Sequence, residues 1–283
     1  MVGRALTEHS AQKGDQVFAY DRLSLDISDA ARVDELLMAN QPDAVINCAA
    51  LTDVDGCESH EARAFAANAS GPENLARTCR KIDAVFVTIS TDYVFDGAKD
   101  DFYTQRDNPN PLSVYAHSKL AGERRAQQEH ARTIVVRSGY IFGAGGKNFL
   151  STVVDRARRG EKLKVIRDSW GTPTSGKHLA ARLRELVELD LPGVYHVVNS
   201  GEGATFETFA REALQLAGAD ETLLEPVSFS SLNRPAPRPR SSKLRCLLSG
   251  LVGLEPLPSL HDGMVEFFGS NVAKHTETGQ FSD

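Results

Sequence analysis

The stretch AVFVTISTDYVFDG, residues 84–97, decides the fold. Its first seven residues form an unbroken apolar run, and DAVINCAA at 43–50 reads the same way. A strand that alternates apolar and polar residues shows one face to water. A continuous run belongs to a parallel strand covered on both faces. Four further runs fit strands: QVFAY (16–20), TIVVRSGYIF (133–142), KLKVI (162–166) and GVYHVVN (193–199). Helical periodicity fills 2–13, 29–39, 60–80, 112–130 and 147–159. Strand and helix repeating at this spacing predict βαβ units, hence an α/β fold with a doubly wound, mostly parallel sheet.

The second half of the chain is punctuated differently, by GTPTSG at 171–176 and RPAPRPR at 234–240. We therefore expect one domain over 1–160, with 176–200 packing back onto it, and a smaller α/β lobe over 161–270. The polar stretch from 271 to 283 is expected to be a frayed tail. At 283 residues and a net charge of −6 the chain has ordinary globular bulk and none of the basic bias of a nucleic-acid binder. No apolar run approaches the ~18 residues of a membrane span, and no signal-peptide pattern is present, so a cytoplasmic location is expected. The cysteines Cys48, Cys57, Cys79 and Cys246 form no CxxC pair and no metal-ligand spacing, and read as reduced, mostly buried residues. No metal is expected.

Ligands of an open α/β sheet bind at the carboxyl ends of its strands. The 84–90 strand runs there into Ser90, Thr91, Asp92, Tyr93, Val94, Phe95, Asp96 and Gly97, rich in hydroxyls and carboxylates. The next helix carries Tyr115 and Lys119, four residues apart and so on one helical face. By itself a Tyr-x-x-x-Lys pair carries little weight, because a core tyrosine beside a solvated lysine has the same spacing. Its place behind a polar strand end is what singles it out.

STDYVFDG (90–97), YAHSKLAGE (115–123), VVRSGYIFG (135–143), NFL (148–150), the D-x-x-G-x-P-T element DSWGTPT (168–174) and RPRSSKL (238–244) together resemble the dTDP-4-dehydrorhamnose reductases. These are sugar-nucleotide reductases of the extended short-chain dehydrogenase/reductase superfamily. The resemblance runs in order from Gly3 to about Phe268. It implies a Rossmann sheet and NADPH as cofactor, with NADH the alternative. It also implies a nucleotide-sugar substrate, with a homodimer as a further expectation. Tyr115 is implied as the general acid for the sugar C4 oxygen, Thr91 as a second contact to that oxygen, and Lys119 as a partner of both Tyr115 and the nicotinamide ribose. A Lys119 ammonium about 4 Å from the phenol would be worth ~4 kcal/mol at an effective dielectric near 20, enough to bring tyrosine towards neutral pH.

By position, the resemblance sets Ala49, Ala50 and Leu51 beneath the cofactor and Asp26 and Ile27 beside its adenine, although Asp26 also suits a helix cap. Asn68 matches a family asparagine. Asp21 suits a ribose 2′-hydroxyl and Arg22 a 2′-phosphate. Asp92, Tyr93, Tyr140, Asn148 and Phe149 fall on the substrate side. Arg238 and Arg240 are candidates for the diphosphate, which guanidinium pairs bidentately. Tyr93 stands where dehydratases of the superfamily carry a second acid, which favours simple reduction, and Tyr140 replaces a tryptophan common in relatives. Gly3 aligns with the last glycine of the family's G-x-x-G-x-x-G loop. The preceding strand and first glycines have no counterpart here, so Met1 reads as an internal methionine or the chain as incomplete, with a weakened hold on the pyrophosphate. The same resemblance admits two other readings, a related keto-sugar reductase and a non-catalytic regulatory subunit like that of methionine adenosyltransferase.

Overall fold

The computed structural model describes the backbone of residues 1–277 and the side chains of residues 1–269. Its strands are β1 Ala44–Asn47, β2 Val85–Thr91, β3 Thr133–Phe142, β4 Leu163–Ile166, β5 Trp170–Gly171, β6 Pro173–Ser175, β7 Gly193–His196, β8 Ala204–Thr205 and β9 Leu224–Val227. The α-helices are α1 Val2–Gln12, α2 Ala30–Asn40, α3 Val54–Ser59, α4 Glu61–Phe65, α5 Gly71–Ile82, α6 Val114–Glu129, α7 Phe149–Arg158, α8 Gly176–Leu189, α9 Phe206–Leu216, α10 Leu248–Leu251 and α11 Leu260–Glu277. Among the described residues no helix is long and apolar enough to cross a membrane.

Strands β1, β2 and β3 lie side by side in parallel. Beyond β3 the sheet forks: β7 pairs with residues 134–137 of β3, and β6 with residues 139–142, both in parallel. The fork falls where Gly139 and Ile141 flank a register shift and Tyr140 takes a left-handed φ of 48°. Alternate residues of β2 feed two separate cores, which is why its sequence is apolar throughout. Val85 and Val87 pack with Ile134, Val136 and the leucines 179, 183 and 186 of α8. Phe86 faces the other way, against Leu75, Ala76 and Cys79 of α5, Val33 and Leu37 of α2, and Ala126 of α6. A third core, around Phe142, Leu150, Val153, Leu163, Phe209, Leu214 and Met264, fills the lobe built from α7, α9, α11 and the parallel pair β4–β9.

Three expectations are corrected. Residues 16–20 form no strand; Val17, Phe18 and Tyr20 are between a third and a half exposed. An extended segment needs a neighbour for its backbone groups, and among the described residues β1 pairs only with β2. The 43–50 run is a strand only over Ala44–Asn47, because Asn47 turns the chain by accepting the Ala49 amide. The helix that buries Met264 and packs Phe267 and Phe268 against the lobe core runs on to Glu277, so 271–277 is helical; residues 278–283 lie outside the described residues.

The 60–80 helix holds a π-helical turn, Ala66–Ser70, between α4 and α5. Its Asn68 carbonyl lies so close to α6 that a Cβ on Gly122 would strike it. Gly122→Ala is therefore expected to destabilise the fold by about 1–3 kcal/mol in denaturant titration, despite alanine's better helix propensity.

Candidate active site

The carboxyl end of β2 delivers Thr91, and α6 delivers Tyr115 and Lys119 to the same place. α6 begins where it does because Ser113 caps it, accepting the Ala116 amide, while Glu58 of α3 accepts the Val114 amide at 2.8 Å. Tyr115 is thereby set in the first turn, 8% exposed, with the Thr91 hydroxyl beside its phenol. One turn on, the buried Lys119 donates from Nζ to the Ile89 carbonyl of β2 at 2.7 Å. Behind it, Glu123 accepts two hydrogen bonds from Arg137 and one from Ser90.

The electrostatics differ from the sequence expectation. Burial pushes the Tyr115 phenol well above its ordinary value, partly offset by the hydrogen bond with Thr91. The lysine does not pull it down, because Nζ is directed at the Ile89 carbonyl. Burial instead lowers Lys119 to about 8, against an opposing pull from Glu123. A phenol so placed is protonated at neutral pH, the form that can donate.

Beside Thr91, Asp92 is 2% exposed. Its carboxylate accepts the Thr91 hydroxyl at 3.1 Å and the Ser242 hydroxyl at 2.5 Å. A Cβ on Gly139 would collide with that carboxyl group, so the glycine is what admits it. Asp92 is thus held as an internal link between the sheet and the 238–244 segment. Thr91 Oγ1 also accepts the Tyr93 amide, and the Tyr93 ring stands edge-on to Tyr115 with centroids 6.3 Å apart. Tyr140 stacks on Phe206 at 4.6 Å, and Phe149 meets Phe206 at 5.1 Å, giving an aromatic wall. A non-glycine residue at positive φ is the kind of strain that collects at functional sites.

The first turn of α1 lies at the carboxyl ends of the strands: a Cβ on Gly3 would touch Cys48 Cβ at 3.6 Å, and Met1 borders Gly143, Gly146 and Gly176. No side chain caps this helix and no acidic residue lies in its first turn, so its leading amides are open to an anion. Ala49 and Ala50 are exposed after β1. Asn68 is not turned outward. Its amide clasps the Leu51 backbone through Oδ1 and Nδ2 and donates to Ser118, anchoring the loop after β1. Asp21 closes its own turn by accepting from Leu23 and Ser24, next to an exposed Arg22. Asp26 does the same with Ser28, whereas Asp29 caps α2. Ile27 is a core residue packed with Leu25 and Val33, with its side chain against Gly71.

The lobe residues also separate. Asn148 caps α7, accepting the Ser151 amide and donating to the Gly143 and Gly146 carbonyls, so its amide is engaged in holding the loop. Arg238 is not the free diphosphate ligand expected of it. Both Nη atoms donate to Asp55 at 2.9 Å, and Nη1 donates also to the Ala236 carbonyl. Arg240 is exposed, with Nε on the Asp168 carbonyl at 3.2 Å. An exposed Arg234 lines a cavity of about 230 Å³ with Arg238, Phe229, Leu232 and Ile166. Sequence reasoning missed Ser242, Phe206, Asp55 and Glu58. Only Ser242 had a signal, its place in RPRSSKL.

Burial raises Asp92 from 3.8 to about 6. Between those values the native state keeps a proton that the unfolded chain has released, so stability from this group falls as pH rises from 4 to 6. The loss is on the order of 3 kcal/mol. Asp92→Asn removes that dependence. Denaturant unfolding at pH 4 and pH 7 should show the variant gaining on the wild type by that amount at the higher pH.

The RmlD substrate binding domain family matches residues 1–270. The dTDP-4-dehydrorhamnose reductase of Streptomyces griseus is 38% identical over 274 residues, which cover 95% of this chain and 90% of that protein. The enzyme of the same name from Mycobacterium tuberculosis is 38% identical over 262 residues, 90% of this chain and 85% of its own. The crystal structure of dTDP-4-dehydrorhamnose reductase from Bacillus anthracis in complex with NADP matches with a TM-score of 0.92 at 31% identity, covering 95% of both chains. With the convergence of Thr91, Tyr115 and Lys119 in the same frame, this chain belongs to the RmlD substrate binding domain family.

Proposed function

We propose that this chain reduces the 4-keto group of dTDP-4-dehydro-L-rhamnose to the hydroxyl of dTDP-L-rhamnose with NADPH, a step of nucleotide-sugar biosynthesis. The observation that carries the reading is the meeting of Thr91 and Tyr115, beside a buried Lys119, at the carboxyl end of β2. NADPH supplies the hydride that C4 takes up. Tyr115 donates its phenolic proton to the C4 oxygen, turning the carbonyl into a hydroxyl, and Thr91 turns its hydroxyl from Asp92 to hold that oxygen in place. The phenolate so formed draws the Lys119 ammonium, which with a value of about 8 is largely charged at neutral pH, away from the Ile89 carbonyl. It regains its proton from solvent.

The uncapped amides of Val2 and Gly3 suit the cofactor's pyrophosphate, with Ala49, Ala50 and Leu51 beneath it. Asp21 and Arg22 lie at the adenosine ribose, and Lys119 at the nicotinamide ribose. The wall of Tyr140, Phe206 and Phe149 faces the sugar nucleotide together with Tyr93. Arg234 and Arg240 are left to meet the diphosphate, since Arg238 is paired with Asp55. A cytoplasmic location and a homodimer complete the reading.

The test is NADPH oxidation on adding the keto-sugar nucleotide, with the product identified and NADH and other 4-keto sugar nucleotides run beside it. Tyr115→Phe is expected to lower kcat about 10²- to 10⁴-fold while still binding NADPH. Equal oxidation by the wild type and that variant would refute the proton-donor assignment.

A further inference from the structure

The six-residue helix α3 touches the site at both ends. Asp55, half-buried on its first turn, takes Arg238 bidentately and also accepts the Ala236 amide at 3.0 Å. That holds the 236–238 segment of the lobe against the Rossmann half. The same guanidinium stands near enough to the Tyr93 phenol to act on it electrostatically. Glu58, one turn further along α3, accepts the Val114 amide at 2.8 Å. Between the two carboxylates Cys57 is fully buried in a cluster with Tyr115 and Ala64, against which Tyr93, Val54 and Val114 pack.

We infer that α3 is a positioning element for proton transfer: Glu58 fixes the first turn of α6, and with it the Tyr115 ring, while Asp55 clamps Arg238 so that Tyr93 stays edge-on to Tyr115. The inference rests on the reductase reading for its catalytic consequence but not for its geometry. The Val114 amide is one of the orphan donors of a helix N-terminus, and no other acceptor for it is supplied by α6 itself. Ser113 satisfies the Ala116 amide, leaving Glu58 to hold the very residue that precedes Tyr115. Asp55 accounts for an arginine that otherwise looks like a ligand group. Its carboxylate lies at about 2, held down by the hydrogen bonds from Arg238, so the clamp persists across the working pH range. Neither residue touches the reacting atoms. Both act through the placement of groups that do, and a misplacement of about 1 Å at such groups can lower the rate a hundredfold.

The experiment compares Glu58→Ala, Glu58→Gln and Asp55→Asn with the wild type. It measures kcat and KM for the keto-sugar nucleotide, NADPH affinity by fluorescence, thermal unfolding, and amide exchange over residues 114–117. Glu58→Ala is expected to lower kcat about tenfold with NADPH affinity unchanged and amide exchange at 114–117 accelerated. Glu58→Gln, whose amide oxygen can accept the same hydrogen bond, is expected to restore both. Asp55→Asn is expected to raise KM for the sugar nucleotide and lower kcat, with exchange at 114–117 unaltered. A Glu58→Ala variant that exchanges faster yet keeps wild-type kcat overturns the assignment, as does a loss that glutamine does not restore. A wild type that reduces no 4-keto sugar nucleotide defeats the functional reading instead. Amide exchange then decides alone: accelerated in alanine and restored in glutamine supports the anchoring by Glu58, and unchanged in alanine overturns it.

Discussion

Asp92 is a carboxylate enclosed by protein, and the two halves of the site meet through it. Taking such a group out of water is expensive, and only hydrogen bonds to its oxygens offset that. Here one comes from Thr91, at the end of the central strand, and the other from Ser242, on the segment that returns from the lobe. The space exists because residue 139 has no side chain. Directly after it, β3 shifts register at Tyr140 and turns from β7 towards β6. A glycine, a buried acid and a forked sheet are thus one arrangement, and the Thr91 hydroxyl takes its direction from it.

The helix that carries Tyr115 and Lys119 is held in a comparable way along its length. Ser113 and Glu58 tie its first turn, and Lys119 reaches the Ile89 carbonyl. Glu123 closes a buried pair with Arg137, whose guanidinium also lies 5.2 Å from the centre of the Phe95 ring. Breaking one member of such a pair usually costs about 3–5 kcal/mol, since a bare charge stays inside. The helix can therefore shift little without exposing or orphaning a charge. That rigidity suits a reaction whose demands are on distance and direction.

Much of this was legible beforehand. The unbroken apolar runs at 84–90 and 43–50 read as two-faced parallel strands, and Val85 and Phe86 of the first do enter different cores. The motifs STDYVFDG and YAHSKLAGE pointed to a proton donor and its neighbours. What the sequence did not reveal has one cause. Arg238, Asn148, Asn68 and Asp26 are expected beside a ligand from position and side-chain chemistry, and the structure adds that each is engaged by a nearby protein group. Residues 16–20 have the composition of a strand, but strand formation depends on a neighbour that composition does not reveal.

The sequence by itself determined the layering, the order of strands and helices, and the chemical types that stand at the strand ends. These follow from local periodicity and from residue identity. The tertiary structure alone decided which of those groups are free and which are paired, and at what proton affinity. Lys119 turns to a backbone carbonyl rather than to the phenol, Asp55 takes the arginine, and burial raises Tyr115 and Asp92 together. Hydrogen-bond partners and desolvation are set by residues far apart in the chain, such as 92 with 242 and 55 with 238, and no local pattern encodes a meeting over that separation.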